Sequence, residues 1–212
     1  MSRTASIGGI TAPDSHIARE VAALARQVHD PAILNHVHRT YWFAEFLAQK
    51  REVRFDREIV YIASLLHDLG LTDRYCAEHR FEIDGANAAA HFLHAHAYPK
   101  PGIDMVWDGI ALHSSDVAAF KAPEIALVHL GAHVDVMGLN IEEISPQLID
   151  DTLQLYPRLG FKKAFTEALA EIARRKPFTA IGTGLGDIGR ALLPGFAVPD
   201  VCALLLDAPF DS

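Results

Sequence analysis

The residues best suited to chemistry lie at the end of an apolar segment. Residues 63–70 read ASLLHDLG, so that His67 and Asp68 directly follow a run of apolar side chains. A buried charge is costly unless it is paired or binds a metal ion. The pair therefore predicts either an exposed helix end or a site at which something binds.

Other imidazole and carboxylate side chains share a face with apolar residues of their own predicted helices. His36 shares a stripe with Ile33, and His113 shares one with Ile110. Asp135 lies on a face made of small residues. A single inward histidine is usually a hydrogen-bonded core residue. Several ligand-type residues on separate helices instead predict a shared centre, and imidazole with carboxylate suits a divalent ion of intermediate hardness.

Such a centre has a defined chemistry. Two histidines and two aspartates from three helices would hold one ion and leave positions open to water, as in catalytic rather than structural metal sites. Water bound to such an ion becomes acidic and attacks as hydroxide near neutral pH. The expected cofactor is one divalent metal ion, with zinc as the first candidate and iron or manganese as alternatives.

The elements that position these residues are predicted to be helices almost throughout, which gives an all-α fold. Asp14 or Ser15 can cap the first helix, Asp56 the third, which Gly70 ends, and Asp84 the fourth. Further helices are predicted over residues 32–50, 102–115, 123–136, 146–155 and 162–175. No reliable strand pattern is present.

The chain divides by composition near residue 176. Residues 1–176 are predicted to form one all-helical domain with its core at about 30–140. Residues 177–212 are rich in Gly and Pro and predict a loop-rich C-terminal extension packed on the same domain, with one short helix after Asp200. Within it, GLGDIG at 184–189 fits a dinucleotide fingerprint, but no βαβ unit surrounds it, so a loop near the pocket mouth is predicted.

Composition excludes several classes of partner. The chain has 212 residues, half of them hydrophobic, and a formal net charge of -8, which disfavours nucleic acid. No run approaches about 18 apolar residues, so no membrane span is expected. Two distant cysteines and no signal-like N-terminus predict a cytoplasmic protein. A small-molecule substrate is expected, and a homo-oligomer formed through apolar positions of the tail stays open.

The order of His36, His67-Asp68 and Asp135 resembles the H…HD…D pattern of the HD superfamily of metal-dependent enzymes, which is all-helical. Four further stretches resemble its cyanamide-hydratase-like branch: NHVHRTYWFA at 35–44, RFEIDGANAA at 80–89, VWDGIALHSS at 106–115 and GAHVDVMG at 131–138. The resemblance covers roughly residues 30–140. It implies that a metal-bound hydroxide adds to a small nitrile-type group, with cyanamide going to urea.

The resemblance also implies roles for single residues. His36, His67, Asp68 and Asp135 correspond to the metal ligands. Asp68 is in addition a candidate proton acceptor, since one carboxylate oxygen stays free if the other binds metal. His113 is the candidate for donating a proton to the substrate or for binding a second ion.

Four residues are candidates for substrate binding: Arg39, Glu82, Asp84 and Asn87. Each has a structural alternative, a salt bridge for Arg39 and a helix N-cap for Asp84. The alternative function is metal-dependent phosphohydrolysis of a small phosphomonoester or nucleotide, which needs cations such as Arg39 and Arg80. Nucleotide-cleaving members often carry a glutamate three residues after the HD aspartate, where this chain has Leu71. A third alternative is a non-catalytic helical module with a structural metal.

Overall fold

Helical periodicity is realised in ten α-helices across residues 4–210, the part of the chain that this computed structural model describes. The prediction of an all-α fold is confirmed. The helices are α1 (His16–Val28), α2 (Pro31–Lys50), α3 (Arg57–Leu66), α4 (Phe81–Ala95), α5 (Lys100–Leu112), α6 (Pro123–Met137), α7 (Pro146–Leu155), α8 (Phe161–Arg175), α9 (Gly184–Leu192) and α10 (Val201–Leu206).

Helix starts follow local side-chain chemistry. The Ser15 hydroxyl accepts the backbone N–H of Ala18 at the start of α1. The Asp56 carboxylate accepts two backbone N–H groups at the start of α3. These bonds satisfy amides that the first turn of a helix cannot satisfy itself, so the predicted caps of both helices are confirmed.

A small hairpin precedes the helices and was not predicted. Strands β1 (Ser6–Ile7) and β2 (Ile10–Thr11) pair antiparallel, with Ile7 opposite Ile10. Each strand has only two residues, which is too short to show the alternation that identifies a strand in a sequence.

Helix α2 is the centre of the fold. It lies against α3, α6 and α8, and every residue from Tyr41 to Ala48 is buried. A helix that is surrounded in this way must be apolar on most of its circumference. Because α2 also carries His36, the position of that histidine is fixed by a helix that is buried along most of its length.

A glycine sets how closely α6 approaches α2. A Cβ atom on Gly131 would lie 2.2 Å from the backbone carbonyl oxygen of Thr40. No other residue type fits at that distance. His36 lies one turn before Thr40 on α2, and Asp135 lies one turn after Gly131 on α6. The same close contact therefore brings these two side chains together.

The segment after α3 also depends on close backbone contact. Helix α3 ends at Leu66 rather than at Gly70, and a short 3-10 helix spans Leu69–Leu71. A Cβ atom on Gly70 would lie 1.9 Å from the carbonyl oxygen of Phe81, so only glycine fits beneath α4. Gly70 thus acts by allowing this contact.

Helix α4 begins earlier than the sequence predicted. Arg80 is its N-cap residue and Phe81 its first residue, so Asp84 lies inside the first turn instead of at the cap. The Asp84 carboxylate accepts backbone N–H groups from Ala77 and His79, in the segment before the helix. Asp84 thus closes the preceding loop onto α4.

The C-terminal segment is more helical than predicted. Residues 184–189, interpreted from the sequence as a loop, lie in α9. Leu185 is buried there together with Ala180 and Ile172 in a second, smaller hydrophobic cluster. Tertiary packing against α8 therefore outweighs the low helix propensity of three glycines. The division of the chain at residue 176 stays a prediction.

Candidate metal centre

Three ligand-type side chains from α2 and the end of α3 meet at one buried point. Nε2 of His36 lies 3.2 Å from Nε2 of His67. Oδ2 of Asp68 lies 3.5 Å from the first nitrogen and 3.4 Å from the second. All three residues are almost completely buried. The structure thus brings His36, His67 and Asp68 together into a single group that could hold a metal ion.

The hydrogen bonds of the two imidazoles decide which ring nitrogens are free. Nδ1 of His36 lies 2.7 Å from Oδ2 of Asp135, and a carboxylate only accepts, so Nδ1 carries the proton. Nδ1 of His67 donates to the carbonyl oxygen of Ser64 at 2.7 Å. Burial is the main cause that holds the pKa of His67 well below its usual value, and the neighbouring His36 adds to this effect. With the Nδ1 proton of each ring committed in this way, the two Nε2 atoms face each other at 3.2 Å.

Asp68 provides the test of whether a cation fits. Neither of its side-chain oxygens has a hydrogen-bond partner among residues 4–210, although both are buried. Buried polar atoms without partners are rare because their desolvation is not offset. Tetrahedral coordination at about 2.0–2.2 Å places donor atoms roughly 3.3–3.6 Å apart. The observed separations of 3.2, 3.4 and 3.5 Å fit a divalent ion.

The structure does not bring Asp135 into this group. Its Oδ2 accepts from His36 and from Arg39 Nη2, and its Oδ1 accepts from Arg39 Nε and Arg158 Nη1. Burial alone would raise the pKa of Asp135, but the hydrogen bonds from His36 and Arg39 outweigh it and lower that pKa. These contacts use the roughly four acceptor positions of a carboxylate. A role as direct ligand stays a prediction, and the contacts support a role in orienting His36.

His113 and Glu82 lie beside the three-residue group. The His113 ring centroid is 4.7 Å from that of His67, and its Nδ1 donates to the carbonyl oxygen of Ile110 at 2.7 Å. Burial is the main cause that lowers the pKa of His113 to about 4, and the neighbouring His67 adds to this effect. Glu82 accepts from the Ser114 hydroxyl at 2.6 Å. Both predicted residues line the same cleft as His36 and His67.

Three other predicted substrate-binding residues do not line this cleft. Arg39 is buried against Asp135 and donates to two backbone carbonyls, so it has the structural role that was its alternative. Asp84 pairs with Lys176 Nζ at 2.7 Å. Asn87 accepts the indole N–H of Trp107 at 2.9 Å. Each of these side chains holds two segments of the protein together.

The cleft has a volume of about 600 Å³ and extends from the metal centre to α8 and α9. Its apolar lining there includes Phe165, Leu169, Leu185 and Ile188. None of the four was predicted as a site residue, although Leu185 and Ile188 lie in the segment at 184–189 that was predicted near the pocket mouth. Arg158, which donates to Asp135, was also missed. Helical spacing marks the four apolar residues as one-sided, but no local pattern shows that their side faces a site so distant in the sequence.

Comparison with protein-family models matches the HD domain over residues 33–152. The chain belongs to the HD domain family. HD-domain proteins are generally metal-dependent hydrolases that bind divalent ions, so the His36, His67 and Asp68 group is where this chain would bind one. A search of curated proteins found no match. Within residues 4–210 no helix has the length and apolar character needed to cross a membrane.

Proposed function

We propose that this HD-domain protein adds water to a nitrile-type group, as in the cyanamide-hydratase-like branch that its motifs resemble. The observation that supports a catalytic metal centre is the buried carboxylate of Asp68, which has no hydrogen-bond partner among the described residues 4–210. It lies beside the imidazole nitrogens of His36 and His67, and both of these histidines line the cleft. A divalent ion held there, zinc first, would make water acidic enough to react near neutral pH and would polarise the substrate nitrogen.

His36 and His67 hold their metal-binding nitrogens in place through their second ring nitrogens. The Asp135 carboxylate accepts from Nδ1 of His36, and the Ser64 carbonyl accepts from Nδ1 of His67. Such outer contacts fix the tautomer and orientation of ligand histidines. The ring of Phe161 also stacks on His36 with centroids 4.6 Å apart, which keeps water from that face of the imidazole.

Asp68 and His113 are the proposed proton carriers. One Asp68 oxygen would bind the ion, and the other, which has no partner among residues 4–210, is free to accept a proton from the attacking water. His113 is neutral near pH 7 and its one ring proton is committed to Ile110. Nε2 of His113 therefore accepts a proton first and can only then pass it to the substrate nitrogen.

The charges around the cleft favour a nitrile-type substrate over a phosphate ester. Phosphate binding relies on cationic donors. Arg39 is saturated by Asp135 and backbone carbonyls, and Arg80, which does line the cleft, pairs with Glu82 at 3.0 Å. Among the described residues that line the cleft, Arg80 is the one lysine or arginine.

The test is metal content by mass spectrometry on the purified protein, together with an assay for urea from cyanamide. The proposal expects roughly one ion per chain and urea formation. Phosphomonoester turnover that is lost in Arg80→Ala while metal is retained would instead establish the phosphohydrolase alternative. Absence of bound metal after the protein is offered zinc, iron and manganese would reject the proposed centre.

A further inference from the structure

The cleft is lined by two chemically different groups of residues. One group carries His36 and His67 of the candidate metal centre, with His113 and Glu82. The other is formed by Phe165 and Leu169 of α8 with Leu185 and Ile188 of α9, which we name the apolar wall, and its Phe165 ring lies beside the His36 ring with centroids 5.5 Å apart. The wall lies entirely outside the HD match at residues 33–152.

The apolar wall presents no charge to the cleft. Among the described residues of 165–188 that line the cleft, the polar ones are three threonines, and none is ionisable. The charged pair at the cleft, Arg80 and Glu82, is internally compensated by its own 3.0 Å contact. A ligand with a charged body would lose hydration against this wall without gaining a partner, whereas an uncharged apolar body would gain.

The apolar wall is supported from behind. Leu185 is buried with Ala180, Ile172 and Ala173 in the smaller hydrophobic cluster. Lys176, at the end of α8, is buried and donates both to Asp84 and to the carbonyl oxygen of His79, each at 2.7 Å. These contacts fix α8 and α9 to the segment before α4, so the wall is a preformed surface.

The cleft is far larger than the simplest nitrile-type substrate. Its volume of about 600 Å³ falls in the range that holds ligands of drug size. Cyanamide contains one carbon and two nitrogen atoms besides hydrogen and is too small to fill this cleft.

We propose that the substrate carries an uncharged apolar body, an alkyl or aryl group, which packs on Leu169, Leu185 and Ile188 while its nitrile-type group reaches the metal centre. This inference rests on the proposed function for the identity of the reacting group. It adds that the apolar wall, outside the family domain, sets specificity.

The first test compares substrates that share one reacting group. Cyanamide and phenylcyanamide both present N–C≡N, and only the second carries an apolar body. Because hydrophobic contacts in a pocket discriminate by about tenfold or more, kcat/KM for phenylcyanamide should exceed that for cyanamide by at least about tenfold. Ile188→Asp should bring this ratio close to one. Leu192→Asp, on the same helix but outside the cleft, should leave the ratio unchanged.

The second test measures binding without turnover, on the metal-loaded protein by calorimetry. Phenylurea should bind at least about tenfold more tightly than urea, and Ile188→Asp but not Leu192→Asp should remove the difference. If phenylurea binds more tightly than urea while neither cyanamide nor phenylcyanamide is converted, the apolar body of the substrate is supported and the nitrile chemistry is rejected. Equal binding of phenylurea and urea, or equal effects of the two variants, would overturn the inference.

Discussion

The candidate metal centre and the apolar wall are built on opposite principles. At the candidate metal centre, polar groups are buried at a cost: Asp68 has no partner among the described residues, and two imidazole nitrogens face each other at 3.2 Å. At the apolar wall, Leu185 and its neighbours are packed in an ordinary hydrophobic cluster. The candidate metal centre is unfavourable for folding unless something binds, whereas the apolar wall contributes to folding stability by itself.

This difference also follows the family boundary. His36, His67 and Asp68 lie inside the HD match at residues 33–152, and the apolar wall lies outside it. The matched domain therefore supplies the candidate metal centre and part of the other cleft lining, such as Val136, while the segment that follows it supplies the apolar wall. Variants of the candidate metal centre should change metal binding and chemistry together, and variants of the wall should change substrate preference.

The largest expected effect is at His67. His67→Ala removes one of three candidate metal-binding side chains, so we expect the variant to lose its bound ion and all measurable activity. Metal content and turnover are measured on the same preparation. His94→Ala, which changes an exposed histidine of α4, is the matched control and should retain both. A His67→Ala protein with full metal content would exclude His67 as a ligand.

A large loss of stability is expected at Asp135. Asp135→Asn leaves the fully buried Arg39 guanidinium without its carboxylate, which should lower the free energy of unfolding by about 3–5 kcal/mol. Because the acceptor of His36 would change from a carboxylate to a neutral amide oxygen, metal affinity should also fall by about 10–100-fold. Urea unfolding and metal titration measure the two effects. Asp104→Asn on the exposed face of α5 is the control, and equal losses in both variants would contradict the assignment.

A buried histidine at the end of α1, His29, should make stability depend on pH. Burial lowers the pKa of His29 to about 4, from an ordinary value of 6.5. Between these pH values the unfolded chain binds a proton that the folded chain does not. The contribution of His29 to folding stability is therefore fully present above pH 6.5 and is lost as the pH falls toward 4. His29→Gln should remove up to about 3 kcal/mol of this dependence. Unfolding at about pH 7 and about pH 4.5 tests this, and His94→Gln should not alter the difference.

The sequence was most informative where the same helix carries both an apolar pattern and a candidate metal-binding residue. His36 lies on an apolar stripe and His67 directly follows one, so helical periodicity alone is enough to place both inward. The partners of Asp135 were not predictable in the same way. Arg158 reaches it from the turn before α8, and no local pattern reports a contact between distant loops. Helix α9 was not predicted because its glycines have low helix propensity. Its packing on α8 nevertheless makes the segment helical.

The last prediction separates the loss of stability that the metal-free centre causes from the gain of stability that a bound ion provides. Asn at position 68 could donate to the Nε2 atoms of His36 and His67, which lie 3.5 and 3.4 Å from Asp68 Oδ2. Metal-free Asp68→Asn should therefore be more stable than the metal-free wild type by about 1–3 kcal/mol. With saturating metal the order should reverse, because the wild type alone gains the full binding free energy. Thermal unfolding with and without metal measures both, and a metal-free variant less stable than the wild type would show that Asp68 is already satisfied without an ion.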